Sequence, residues 1–510
     1  MGWTYDDSLQ RARKTYQDTA DVTVSTVTRQ TDFEAISLTK PRRVRGAHLY
    51  VDVPCFEGLL GEPEEGTDED MLRRLHLYAR EVTRILEIDF DAVKVHFQGP
   101  RLHALSYRPV NDDAVMVATA VAAAAAIAYS SSIFNDVFGL TGEAAWDSAA
   151  GIDFGEVIAT KNGVGGDREL LFLGAPANYA AKMLKQGIRI AAEAAALLPE
   201  DVATHVRTTD DPAIYEVQVT LDQLEDLCAT YGWTWSAAQS RSRLEEAVSK
   251  HPAGCATIKK PTVKIDKTAL GLSNSKRLPA VSLFADIDGF TAYIDEATSQ
   301  DEDLIAAVRA FHTLRHEMRE TAVVGYDALR VQYQGDRMQA LTYLPFDHEV
   351  QAALSAVRIA AALHSVATQV MPQVVGAKAA KPLAIGVAAG PVLLSKLGEH
   401  GKRDVVALGP SVAEAARIQQ ALDGTQTGIS AVVYDLLPGW LQLYFTQRDG
   451  SSRGTAAQST YIADGLTLDV LERAERVAQQ EEEVTVASTS SNFARPSRPV
   501  ASTPLRPWVR

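Results

Sequence analysis

Asp286 and Asp336 are the residues of this chain best placed to do chemistry. The first closes an apolar run, Ala280 to Ala285, in the segment Phe284-Ala285-Asp286-Ile287-Asp288-Gly289-Phe290-Thr291, which delivers two carboxylates into a glycine turn and then a helix-like stretch. The second sits in the turn of Val331-Gln332-Tyr333-Gln334-Gly335-Asp336-Arg337-Met338. Carboxylates at a strand end, opening onto a helix N-terminus, suit a divalent cation held together with a polyphosphate. The cation takes hard oxygen ligands, and the free amides of a first helical turn take phosphate oxygens. Adjacent antiparallel strands would bring both carboxylates together, where only a cation relieves their repulsion.

The elements that must position them occur twice. Leu49-Tyr50-Val51-Asp52-Val53-Pro54-Cys55-Phe56 matches Leu283 to Phe290, and from Asp52 to Asp286 the offset is 234 residues. Val93 to Leu102 matches Leu329 to Met338 with Gly99 and Gly335 offset by 236, Gly151 to Val157 matches Gly386 to Val392 at 235, and Leu173 to Asn178 matches Leu408 to Ala413 at 235. Four blocks in order at nearly one offset mark a duplication. Each half reads as strand, helix, hairpin, helix, strand, hairpin, helix and further strands. This pattern predicts an α+β fold, an antiparallel sheet with helices packed on one face. The expected division is an N-terminal extension over 1–31, a first domain over 32–220, a helical linker over 221–265, a second domain over 266–470, and a helical end with a tail over 471–510. From Val484 onward the chain loses apolar periodicity and is expected to be disordered.

Composition narrows the classes. The 510 residues are 46% hydrophobic and 23% charged, enough for real cores, and the net charge of −15 argues against a nucleic-acid surface. Three cysteines (Cys55, Cys228, Cys255) form no paired framework, and the acid-bearing Met1 to Gln10 has no apolar signal region, so the expected compartment is the cytoplasm. Ala114 to Phe134 runs without a charge and meets the length of a membrane span. Its counterpart in the repeat, Glu349 to Val370, contains Arg358 and His364 midway, so the reading here is a buried Ala-rich helix and no membrane.

The FxDI segment and the later Gly-Asp turn together resemble the class III nucleotide cyclases. The resemblance covers about residues 32–466 and implies two ferredoxin-like (βαββαβ) cyclase domains forming an intramolecular pseudo-dimer. In that family the site lies between two domains: one presents two metal carboxylates, the other an Asn and an Arg. By this resemblance the second half holds two Mg²⁺ or Mn²⁺ ions on Asp286, Asp336 and the carbonyl of Ile287, and Gly289, Phe290 and Thr291 cradle phosphates. In the first half Asp52 remains but the second metal position is Pro100. The Asn-xxx-Arg pair appears as Asn178 and Lys182 in the first half, at a spacing that puts both on one helix face, and as Ala413 and Arg417 in the second. The losses are complementary, which implies one composite site and one dead pseudo-site. Lys182 keeps the charge of the usual Arg without its bidentate fork. Lys402 and Arg403 are further candidate phosphate contacts.

Base selection falls to the first half. The family's base-reading positions, three residues before each Gly, are His96 and Leu171, which match neither the adenine (Lys, Asp) nor the guanine (Glu, Cys) pair. His96 can offer one N–H to a carbonyl such as uracil O4, and Phe97 beside it is expected to narrow the slot. A lone cyclase with altered base-reading positions resembles the pyrimidine cyclases of bacterial Pycsar anti-phage defence. That implies cyclic UMP or cyclic CMP as the product, sensed by a separate effector; of the two substrates UTP is the one expected, with CTP close behind. The alternatives are an adenylate cyclase making cyclic AMP and a weak regulatory pseudo-cyclase. A diguanylate cyclase is disfavoured because Gly165-Gly166-Asp167 is followed by Arg168 and not by Glu-Phe, and a polymerase palm is disfavoured by the acidic surface.

Overall fold

The apolar runs singled out by the repeat become two sheets of nine strands, built in one order. The computed structural model describes residues 2–53, 67–99, 101–162, 169–297, 300–448 and 459–492, so Pro100, Gly165-Gly166-Asp167 and the tail 493–510 lie outside the described residues. The first half contributes β1 (Ser25–Thr26), β2 (Arg42–Asp52), β3 (Val93–Gln98), β4 (Arg101–Ser106), β5 (Ala149–Asn162), β6 (Glu169–Leu173), β7 (Ile188–Ala191), β8 (Val206–Thr208) and β9 (Ile214–Val217). The second contributes β10 (Ile258–Lys259), β11 (Ser275–Ile287), β12 (Leu329–Gln334), β13 (Arg337–Thr342), β14 (Leu383–Leu397), β15 (Asp404–Leu408), β16 (Gln426–Ser430), β17 (Thr446–Arg448) and β18 (Thr460–Asp464). The orders are β3-β4-β2-β5-β7-β9-β8, with β1 on β2 and β6 on β5, and β12-β13-β11-β14-β16-β18-β17, with β10 on β11 and β15 on β14. The four strands β3-β4-β2-β5 and β12-β13-β11-β14 are the antiparallel ferredoxin-like cores, as expected.

Two features correct the sequence reading. The sheets are mixed, because β7 runs parallel to β5 and β16 parallel to β14. Helices also cover both faces. Asp301–Arg319 and Glu349–Ser365 pack on the face of Leu283, Ala285 and Ile287, whereas Pro410–Gln420 packs on the opposite face through Phe284, Ala388, Ala415 and Ile418. Its first-half counterpart, Ala175–Lys182, likewise packs through Ala177 and Ala180 on Tyr50. Glycine permits this second layer: a Cβ at Gly151 would lie 2.1 Å from the Ala180 carbonyl oxygen, and one at Gly386 would lie 2.3 Å from that of Ala415. The two repeated glycines are the seats of the two short helices.

The Ala-rich helix Asp113–Phe138 and the segment Glu349–Val375 are long and apolar enough to cross a membrane, with mean hydropathies of 1.8 and 1.4, yet 78% and 72% of those windows are buried within the protein. Small side chains let both lie flat on their sheets. The helices Leu221–Tyr231 and Ala237–Lys250 pack on the first half, where Arg243 pairs with Glu81 at 2.7 Å and Asp89 at 2.8 Å. The N-terminal helix Tyr5–Asp18 instead reaches the second half, with Ser8 and Arg11 both on Glu317. Disorder was expected from Val484, but the last helix runs from Leu468 to Asn492.

The halves interlock reciprocally. Ile158, Leu171 and Leu173 from the β5–β6 hairpin belong to the core of the second half, while Leu393, Leu397, Val406 and Leu408 from β14–β15 belong to that of the first. Polar contacts repeat the exchange. Lys94 Nζ and the Phe97 amide both donate to Asp404, at 2.6 and 3.1 Å, and Arg330 Nη1 and the Tyr333 amide both donate to Glu169, at 2.7 and 2.8 Å.

Gly151→Ala is expected to lower stability by about 1–3 kcal/mol, the usual cost of overpacking. Denaturant unfolding checks it, and an unchanged midpoint would contradict the seat assigned to the helix Ala175–Lys182.

Candidate active site

β11 ends at Ile287, and the β12–β13 hairpin turns on Gly335, whose φ of +66° suits a residue without a Cβ. β13 lies beside β11, with Ala285 opposite Met338. This register carries the turn residue Asp336 to the end of β11, and the carboxyls of Asp286 and Asp336 come within hydrogen-bonding reach of one another. Burial, and then the Asp286 charge, hold the Asp336 carboxyl well above the usual carboxylate range. Asp286 is raised by burial too, opposed by the neighbouring Arg337 guanidinium. Gln419 Nε2 donates to Asp286 at 3.2 Å. Two desolvated carboxyls facing each other fit a divalent cation: Mg²⁺ in particular is held by one or two carboxylates and completes its shell with water and substrate phosphate. Among the described residues no group of three or more His, Cys, Asp or Glu is arranged to hold a metal ion. Asp288, the other acid of the motif, is exposed and accepts the Gly424 amide at 2.9 Å.

The first half brings up Asn178. Its Nδ2 donates to Thr291 Oγ1 across the interface, and the Ala175 amide donates to Asp295 at 3.0 Å. Thr291 lies in the first turn of the helix Phe290–Ala297, whose leading amides have no intrahelical acceptor. Asn178 of one half therefore touches Thr291, one of the three phosphate-cradle candidates of the other. Lys182 is exposed at the last turn of the same helix.

The equivalent corner of the first half is built differently. Asp52 is held by Arg101, whose Nη2 and Nε lie 2.9 and 3.2 Å from one carboxylate oxygen. The matching arginine of the second half, Arg337, stays near Asp286 without closing on it. Its guanidinium stacks 4.7 Å over the Phe284 ring and donates to Gln334 and Gln419. A cavity of about 490 Å³ remains at the Asp52 corner, lined by Gly99, Arg101, Ala413 and Arg417 among others. An arginine thus hydrogen-bonds the acid in one half, while in the other the acid faces a second carboxyl with Arg337 near by.

The base-reading candidates fare unequally. His96 is half-buried, and its enclosed ring is pushed down to about 4, so it is neutral at pH 7. Its Nε2 faces the Gln98 amide nitrogen at 2.7 Å, which leaves Nδ1–H as its donor. Leu171 is buried in the cluster that holds Phe290, Phe311 and Tyr333. Phe97, expected to narrow the base slot, packs instead in the first-half core with Leu393 and Leu408, because strand alternation puts it opposite His96. Lys402 and Arg403 line a cavity of about 750 Å³ together with His96, Tyr333, Glu87 and Asp404; Lys402 pairs with Glu87 there, and neither metal candidate lines that cavity. Gln419 and the divergent arginines Arg101 and Arg337 escaped the sequence reading. The signal for the arginines was available, since both follow the second metal position of each repeat block.

Known proteins place this architecture. The catalytic-domain model of adenylate and guanylate cyclases matches residues 274–465, the half that carries the carboxyl pair. The chain is 31% identical over 486 residues, 89% of either sequence, to a uridylate cyclase of Pseudomonas aeruginosa. It is 26% identical over 429 residues, 79% of this chain and 80% of the relative, to a uridylate cyclase of a Rhizobium species. A crystal structure from Pseudomonas aeruginosa, described as a class III adenylyl cyclase-like ATP-binding protein, superposes with a TM-score of 0.78 at 29% identity, covering 92% of this chain and 99% of the other. With both catalytic-domain sheets accounted for in one polypeptide, the chain belongs to the class III nucleotide cyclases.

Proposed function

We propose that this cyclase converts UTP to cyclic UMP and pyrophosphate at one composite site. The observation that carries the proposal is the meeting of Asn178 with Thr291 across the halves, beside the Asp286–Asp336 pair. The uridylate cyclases similar along most of the chain support uracil as the base. Two Mg²⁺ or Mn²⁺ ions, when bound by Asp286, Asp336 and the Ile287 carbonyl, supply acidification of the ribose 3′-hydroxyl and neutralisation of the triphosphate. The 3′-oxygen attacks the α-phosphorus, the bond to pyrophosphate breaks, and the hydroxyl proton passes to solvent. The amides of Gly289, Phe290 and Thr291 bind terminal phosphate oxygens at the helix N-terminus. Asn178 orients the ribose, and Lys182 offsets charge growing on the α-phosphoryl. Neutral His96 offers its remaining N–H towards the base, next to apolar Leu171. We read the product as a second messenger of a Pycsar-type anti-phage response, made in the cytoplasm and sensed by a separate effector. One observation favours a second reading, adenylate cyclase: the solved relative is described as ATP-binding.

Purified protein incubated with ATP, GTP, CTP or UTP in Mn²⁺ should give cyclic UMP as the main product by mass spectrometry, and none after EDTA. Cyclic AMP as the main product would favour the second reading. Asp336→Ala should remove at least about 99.9% of turnover, on the scale of loss expected when a metal-centred charge contribution of several kcal/mol disappears. Asp52→Ala should cost less than about tenfold, since Asp52 already pairs with Arg101 and lies outside the composite site. Equal losses in the two variants would refute a single site. Asn178→Ala should lower kcat by about 10²-fold or more, with KM for UTP little changed, as for a group that acts on the transition state.

A further inference from the structure

The cavity of about 750 Å³ that holds Lys402 and Arg403 is positively charged, in a chain whose net charge is −15. Among the described residues its lining carries seven Lys and Arg side chains against five Asp and Glu. Four of those acids are engaged. Asp404 accepts Lys94 and the Phe97 amide, and Glu169 accepts the Tyr333 amide together with Arg330, which lies outside the lining. Glu87 takes Lys402, and Asp91 takes Arg108 at 2.6 Å. The side chains of Lys396 and Arg403 make no hydrogen bond or ion pair among the described residues, and Arg403 Nε is buried.

The duplication explains why cations gather here. Lys161 and Lys396 occupy one repeat position, 235 residues apart, and the strand registers agree: Lys161 lies opposite Leu170 on β6, and Lys396 opposite Val405 on β15. Both line the cavity, one from each half, and Lys161 is only 9% exposed. The lining also takes Val93 to His96 of β3 and Val331 to Tyr333 of β12, and it stops short of both hairpin turns and of Asp286 and Asp336. Like charges aimed into one partly enclosed space repel, and an anion relieves the repulsion. Lysines offer compact charges and an arginine offers a planar fork of donors, two donor types that suit phosphate oxygens. The volume is that of a small-molecule site, and Val93, Val95 and Val331 add apolar wall beside the charges.

We propose that this cavity is a binding site for an oligophosphate anion, free or carried by a nucleotide, held by Lys161 from the first half and by Lys396 and Arg403 from the second. The site needs no metal and goes beyond the cyclisation reaction, on which it does not depend. An anion shared by cations of both halves braces the interface that Glu169 and Asp404 already tie.

The test is calorimetric titration of the full chain with inorganic triphosphate in EDTA at about 150 mM salt, which screens diffuse surface attraction. Without metal the carboxyl pair has nothing with which to hold phosphate. Wild type should bind at a single site, and its thermal midpoint should rise as triphosphate is added. A double variant, Lys396→Gln with Arg403→Gln, should melt without ligand at an unchanged or higher midpoint, because two unpaired cations are gone. It should bind triphosphate about 10- to 100-fold more weakly, as for lost hydrogen bonds between charged groups. Asp336→Asn should bind as wild type does. If the double variant does not fold, each single variant should still bind at least about threefold more weakly. No binding by wild type overturns the proposal, as does wild-type affinity in the double variant or in both single variants. A loss in Asp336→Asn also overturns it, since the anion would then sit at the catalytic corner. Citrate bound as tightly as triphosphate overturns the phosphate class. UTP in the same buffer separates the two sources: tighter binding than triphosphate, lost in the double variant, supports a nucleotide, and equal or weaker binding supports a free oligophosphate.

Discussion

Two acidic side chains, Glu169 and Asp404, tie the halves together by the same pair of bonds. Each accepts a cation and a backbone amide from the β-hairpin strand of the other half: Arg330 and Tyr333 in one case, Lys94 and Phe97 in the other. The amides come from hairpin strands that would otherwise present bare edges, which a β structure has to cover. Around this reciprocal grip, the hairpins exchange Leu171 and Leu173 for Val406 and Leu408, so each half completes the other's core. Buried pairs of this sort contribute less to net stability than to register, because desolvation offsets much of their attraction. Register is what the site requires. A shift of one residue between halves would separate Asn178 from Thr291.

Within that near-symmetric frame, chemistry depends on small asymmetries. Both halves keep an arginine after the hairpin glycine, and its direction differs. Arg101 closes on Asp52, whereas Arg337 lies on the Phe284 ring and binds two glutamines. The first arrangement satisfies a carboxylate with a fixed charge. The second leaves Asp286 facing Asp336, a pair whose mutual repulsion invites a mobile cation. The short helices on the far sheet face diverge in the same sense, one bearing Asn178 and the other Ala413.

Much of this was legible in the sequence. The duplication, the strand-helix order and the metal candidates follow from motifs whose spacing is local, and a hairpin glycine two strands away places Asp336 with little freedom. Face assignment was harder. Periodicity reports that a strand has two faces, but the second helix layer depends on Gly151 and Gly386 admitting a helix backbone, a steric fact without a periodic signature. Phe97 was harder to place: strand alternation turns it away from His96 and into a core to which the opposite half adds Leu393 and Leu408.

The duplication also bears on how such an enzyme can change over generations. A symmetric homodimer encodes every position once and uses it twice, so a substitution that improves one wall of a site alters the matching wall of its twin. Here each wall has its own codons. Asn178 could persist while position 413 became alanine, and Asp52 could acquire an arginine clamp while Asp286 stayed open to a cation. Joining the halves in one chain thus releases the strand of His96 and the strand of Asp286 from inheriting each other's mutations.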